Sequence, residues 1–149
     1  MLRRFYFPLS FQLNFSLILL SIFSLNAFSS ELMLRKTFIQ AEKNVWQAKS
    51  SKYKSLYNKL HFYPLQPYLD QKKLMHKISL SKAKEIDTFL TKYKGSPLDW
   101  PLRKKWLTYL SKRKRKTLFV KYYIPTESAK LTCQFYNFKL ALGEKPNLI

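Results

Sequence analysis

Eight carboxylates, two histidines and one cysteine are the side chains of this 149-residue chain best suited to acid–base, metal or nucleophilic chemistry. The acids are Glu31, Glu42, Asp70, Glu85, Asp87, Asp99, Glu127 and Glu144. Glu85 and Asp87 stand two apart on a predicted helix and so point in divergent directions. Asp99 and Glu127 are expected in first helical turns, where an acid complements the helix dipole. No acid sits in an apolar run that would hold it protonated as a general acid. His61 and His76 lack an i, i+4 partner, which argues against a zinc site. A lone cysteine, Cys133, excludes an intramolecular disulfide and a thiolate metal cage. It falls on an apolar helical stripe, so a packed structural thiol is expected there. No glycine-rich phosphate loop is present. The residues therefore offer no catalytic constellation, no cofactor site and no metal site.

The charge balance is extreme, with 28 Lys plus Arg against 8 Asp plus Glu. Such a surface attracts nucleic acid, anionic lipid or acidic cell-wall polymer alike. The basic residues are mostly lysines, whereas base-edge and phosphate recognition favours the arginine fork. The N-terminus narrows the choice. Arg3 and Arg4 precede an uncharged run from Phe5 to Ser30, and Ala27 and Ser29 supply small residues at a cleavage site. This is the layout of a secretory signal peptide over residues 1–29. An uncleaved membrane anchor is the alternative, because the run is long enough to span a bilayer. Pro8, Gln12 and Asn14 interrupt its first half and favour the shorter signal core. Export makes a nucleic-acid partner improbable and limits membrane contact to the signal itself. It also makes Cys133 an unpaired thiol that is safest when buried.

The remaining chain, 30–149, is read as all-α. Only two glycines and 17% aromatic residues suit helices and disfavour a turn-rich β sandwich. The expected organising element is the two-proline corner Tyr63-Pro64-Leu65-Gln66-Pro67-Tyr68-Leu69-Asp70. Pro64 and Pro67 fix φ and remove backbone donors, and Pro67 suits the first position of a new helix. Tyr63, Leu65, Tyr68 and Leu69 are expected to be buried on that corner. Before it, Leu34, Phe38, Ala41, Val45 and Ala48 form one stripe of a helix over Glu31 to Lys49. Ser50-Ser51 then caps a second helix carrying Tyr53, Leu56, Tyr57 and Leu60. After the corner, a third helix is expected to about Ile78. A fourth carries Ala83, Ile86, Phe89, Leu90 and Tyr93 and stops at Gly95.

Ser96-Pro97-Leu98-Asp99 has the form of a capping box, although Pro101 sets the regular helix to start at residue 101 after a tight turn. Leu102, Trp106, Tyr109 and Leu110 form its stripe. The run Lys112-Arg113-Lys114-Arg115-Lys116 is expected to be a solvated helix end and loop. A short sixth helix stops at Ile124-Pro125. Thr126 is expected to cap the seventh, with Glu127 in its first turn. That last helix carries two apolar stripes, Leu131/Phe135/Phe138/Leu142 and Ala129/Cys133/Tyr136/Leu140, as an inner helix of a stacked array would. Short helices with short connections predict stacked hairpins, the start of an α-superhelix or solenoid.

Three stretches resemble the N-terminal superhelical region of soluble lytic murein transglycosylases, exported enzymes of Gram-negative bacteria. They are Tyr63-Pro64-Leu65-Gln66-Pro67-Tyr68-Leu69, then Ser96-Pro97-Leu98 with Arg103 and Trp106, then Thr126-Glu127 with Cys133. The family usually has tyrosine where Gln66 stands. The resemblance implies a periplasmic address, peptidoglycan as partner and a curved helical scaffold. In that family a C-terminal lysozyme-like domain cleaves the glycan strand through one glutamate in a Glu-Ser-x-Phe context. Here the only Glu-Ser pair is Glu127-Ser128, followed by Ala129-Lys130, so the catalytic role does not transfer. The expectation is an N-terminal scaffold fragment without activity of its own. A small basic secreted module for anionic envelope polymers is the competing expectation.

Overall fold

A computed structural model of the chain describes residues 30–144, all helices and connecting turns with no strand among them. The expected cleavage residues Ala27 and Ser29 lie outside the described residues. The described chain divides at the proline corner into two compact units, one ending at Tyr63 and the other beginning at Pro64.

The first unit contains α1 (30–43), a 3-10 turn (Val45–Gln47) and α2 (Ser51–Lys59). Ala41, Val45, Tyr53 and Leu60 are its buried apolar residues. The stripe of α1 is where its spacing puts it, but the helix stops six residues early. Asn44 is the reason. Its side-chain amide donates to the Gln40 carbonyl at 2.7 Å, the acceptor that its own N–H would otherwise use. The Asn44 N–H turns to Ala41 O instead, and the backbone tightens into the 3-10 turn. Ser50 caps α2 as its sequence suggests, its hydroxyl accepting from the Tyr53 N–H at 3.2 Å.

The second unit holds α3 (Gln66–His76), a 3-10 turn (Leu80–Lys82), α4 (Ala83–Lys92), α5 (Asp99–Lys112), α6 (Lys116–Tyr122) and α7 (Ala129–Leu140). Its centre is α5, against which α3, α4, α6 and α7 all pack. Leu102, Trp106, Leu107 and Leu110 of α5 are completely buried. Each such side chain contributes about 1.5–3 kcal/mol by leaving water. Ile86, Phe89 and Leu90 meet them from α4, Phe119 and Tyr122 from α6, and Leu131 and Phe138 from α7. The rings of Phe119 and Phe138 cross edge to face at 5.2 Å, the favoured aromatic geometry.

The proline corner is therefore a boundary and not the hub. Of its four apolar side chains only Leu69 is buried; Tyr63 is half-buried, and Leu65 and Tyr68 are exposed. Gln66 opens α3 and Pro67 follows it at the second helical position, where no N–H is needed. The helix expected from Pro101 begins two residues sooner. Pro101 is the third residue of α5, still within the first turn, whose backbone donors have no helical acceptor anyway. The seventh helix, in contrast, starts late. The Thr126 hydroxyl accepts from the Ser128 N–H at 3.3 Å, making a local turn that leaves Glu127 exposed and Ser128 at the cap position.

The basic run is a solvated loop, as expected, with Lys112 to Arg115 exposed. Lys114 adopts φ +52°, while its N–H reaches Ser111 O and the Arg115 N–H reaches Leu110 O. This is a Schellman closure with lysine where glycine normally sits. Gly143 makes the same closure after α7 at φ +80°. A left-handed conformation costs a side-chain-bearing residue about 1–2 kcal/mol. Lys114→Gly should thus raise unfolding stability by about 1 kcal/mol, whereas Gly143→Ala should lower the melting temperature. Thermal denaturation followed by circular dichroism measures both.

Candidate functional site

The polar groups that the core does bury are arranged for packing. Asp99 and Arg103, one turn apart on α5, form a buried ion pair, with the Arg103 Nε donating to Asp99 Oδ1 at 2.7 Å. The second Asp99 oxygen accepts from the Gly95 N–H at 3.0 Å. Ser96 is not the cap its position predicts: Leu98 holds the cap position without a side-chain bond, and the Ser96 hydroxyl accepts from the Leu98 N–H at 3.3 Å in a local turn. No capping box forms here, because the Asp99 N–H goes to the Ser96 carbonyl and the Asp99 carboxylate takes the Gly95 N–H. Gly95, at φ +75°, presents its N–H to that carboxylate. Arg103 also donates through Nη1 to the Tyr122 carbonyl at 2.9 Å, satisfying an end group of α6. From α3, the buried Gln71 amide donates to Leu98 O at 2.7 Å. Pro97, beside it, is exposed.

Trp106 lies directly beneath this node. It is fully buried, with its ring edge-on to Tyr122 at 6.0 Å and stacked on Tyr109 at 5.5 Å. Its indole Nε1 has no acceptor among the described residues. Arg103 and Trp106 are thus both buried in the second unit's core, while Ser96 is half-buried in the turn before α5. Thr126, Glu127 and Cys133 are not part of that cluster. Cys133 is exposed on α7, contrary to the packed thiol expected, and Ala129, Tyr136 and Leu140 of the same stripe are exposed with it. The other expected stripe buries Leu131 and Phe138, while Leu142 stays exposed. So α7 is covered on one side only.

A second polar cluster escaped the sequence reading because its members are far apart in the chain. Asp87 Oδ1 accepts from the Tyr122 hydroxyl at 2.7 Å and from Lys121 Nζ at 3.0 Å. The Tyr122 bond, then the Lys121 bond, hold the Asp87 carboxyl below its ordinary value of 3.8. Burial, then donation to Asp87, pushes the Tyr122 hydroxyl above its ordinary 10.0. The bond to Asp87 likewise raises Lys121. Tyr122 is therefore a neutral donor and no candidate base.

Two of the remaining acids share a surface groove. Asp70 and Glu85 both line an open groove of about 390 Å³ between α3 and α4, floored by Leu74, Phe89 and Tyr93. Each pairs with a lysine one turn away on the surface, Asp70 with Lys73 and Glu85 with Lys82. Neither is enclosed from water as a glycan-cleaving acid would be. No group of three potential metal ligands converges among the described residues. No described helix is long and apolar enough to cross a membrane.

Two variants probe this arrangement. Arg103→Met leaves the Asp99 charge buried and the Tyr122 carbonyl without its donor, and should cost about 3–5 kcal/mol in urea denaturation. Asp87 has a lowered folded pKa, so its contribution exists above 3.8 and disappears as pH falls through the folded value. Tyr122 and Lys121 have raised values, so their contributions are lost as pH rises through them. Asp87→Asn should flatten both limbs of the stability–pH curve. Compared with known proteins, the chain matches no family model, no curated protein and no solved structure.

Proposed function

We propose that this chain is an exported helical scaffold segment of the lytic murein transglycosylase kind, which associates with peptidoglycan and has no cleaving activity of its own. The observation that carries the reading is the fate of two of the resembling residues. Arg103 and Trp106 are buried in an ion pair and in aromatic packing, and Ser96 shapes the turn before α5, which suits residues that serve architecture and not chemistry. The uncovered face of α7 is what an array of stacked hairpins leaves at an open end. Arg3, Arg4, the uncharged run and the small residues Ala27 and Ser29 support a periplasmic address. The excess of basic residues suits a polymer whose peptide stems carry carboxylates.

A competing reading, a small self-contained basic module for anionic envelope polymers, is favoured by one feature. Four helices enclose α5, so the second unit has a core of its own. Thermal unfolding separates the two. A single cooperative transition of the purified chain supports the module, and a broad non-cooperative one supports a segment that needs further array. Incubation with purified sacculi should show cosedimentation that weakens with added salt and no release of anhydro-muropeptides. Their release would overturn the scaffold reading.

A further inference from the structure

An open groove of about 460 Å³ lies where the end of α6 and the turn after it meet α7. Thr132, Phe135, Tyr136 and Lys139 fall at i, i+3, i+4 and i+7 along α7 and so share the face that lines it. Phe135 stacks on Tyr123 with ring centroids 4.1 Å apart and planes 16° from parallel, and Tyr136 meets Phe135 edge-on. Hydroxyls adjoin this aromatic floor. The Tyr123 and Thr132 hydroxyls share a hydrogen bond at 2.9 Å, and Thr126 stands beside them in the lining. On the same face, Lys139 lies over the Phe135 ring at 5.6 Å and pairs with Glu144 at 3.1 Å.

We propose that this groove is a binding site for an oligosaccharide of pyranose rings. A pyranose presents C–H groups on its faces and hydroxyls round its edge. It therefore needs an aromatic surface bordered by groups that both donate and accept. The paired hydroxyls of Tyr123 and Thr132 supply the accepting function, since each keeps a free lone pair while Thr132 donates to the Thr126 carbonyl at 3.4 Å. Glu144 accepts only and Lys139 donates only, which orients the ring. The volume is within the range of small-ligand sites and the lining has their usual character, largely apolar with a few converging polar groups. Tyr136 is 39% exposed and so offers ring surface to a ligand without moving. The site gives the proposed scaffold a point of contact with glycan and rests on that reading only for its biological partner.

The test is titration of the full chain with the tetramer of N-acetylglucosamine, followed by amide chemical shifts. Saturable shifts should concentrate at Thr132, Phe135 and Tyr136. Tyr136→Ala should weaken binding about tenfold, the worth of one aromatic contact, and Thr132→Val should weaken it several-fold with the fold intact. Cys133→Ser, beside them on the outer face of α7, should leave affinity unchanged. Absence of saturation with a folded chain, or equal affinity in Tyr136→Ala, overturns the site. Sacculus binding without tetramer binding overturns the site and leaves the scaffold reading standing. Tetramer binding without sacculus binding upholds the site and overturns the envelope role.

Discussion

The buried pair of Asp99 and Arg103 is the constraint on which the second unit depends. Two charges removed from water cost several kcal/mol each unless every remaining lone pair and donor finds a partner. Here both Asp99 oxygens accept and two Arg103 nitrogens donate. Asp99 holds the Gly95 turn, and Arg103 reaches across to the Tyr122 carbonyl at the end of α6. One side-chain pair therefore sets where α5 begins and where α6 must lie. A helix of seven residues is marginal in isolation. Its position on α5 is decided by the guanidinium at its end, the indole beneath it and the Phe119 ring within the core.

Tyr122 carries the same logic outward. Its carbonyl accepts from Arg103, its ring lies against Trp106, and its hydroxyl reaches Asp87 on α4. One residue thus ties α6 to α5 through two groups and to α4 through a third. Gln71 ties in a fourth by donating to Leu98 O. Polar bonds of this kind add little net stability in sum, but they tolerate only one register of packing, whereas leucine against leucine tolerates several. The unsatisfied Trp106 indole marks where aromatic packing prevails over hydrogen bonding.

Charge has a separate role. Among the described residues most lysines lie on exposed faces and loops, with ion pairs at the surface that are worth little individually. The result is a neutral, closely packed interior inside a strongly positive shell. Such a shell steers association with anionic polymers without specifying one. Specificity must come from shaped, partly apolar places such as the groove beside Tyr136, where hydroxyls and rings meet.

Much was legible in the order of residues. The period of apolar residues located the helices, because burial of one face is a local demand that any 3.6-residue repeat reveals. Ser50 marked the start of α2 and Gly95 the left-handed turn that follows α4, since caps and left-handed turns depend on single residues. Side chains that compete with the backbone were harder to read. Asn44 shortened α1, and Thr126 delayed α7, because a hydrogen bond to one neighbour decided each boundary. Least legible were the choices made between distant segments. The proline corner looked central and proved to be a boundary, while α5 became the hub. Cys133 and its stripe looked packed and are bare. The Asp87–Tyr122 bond and the Tyr123–Thr132 groove join residues that no periodicity connects. Apolar pattern states that a face will be buried, but which face finds a partner is a property of the whole chain's packing, and only the tertiary structure decided it.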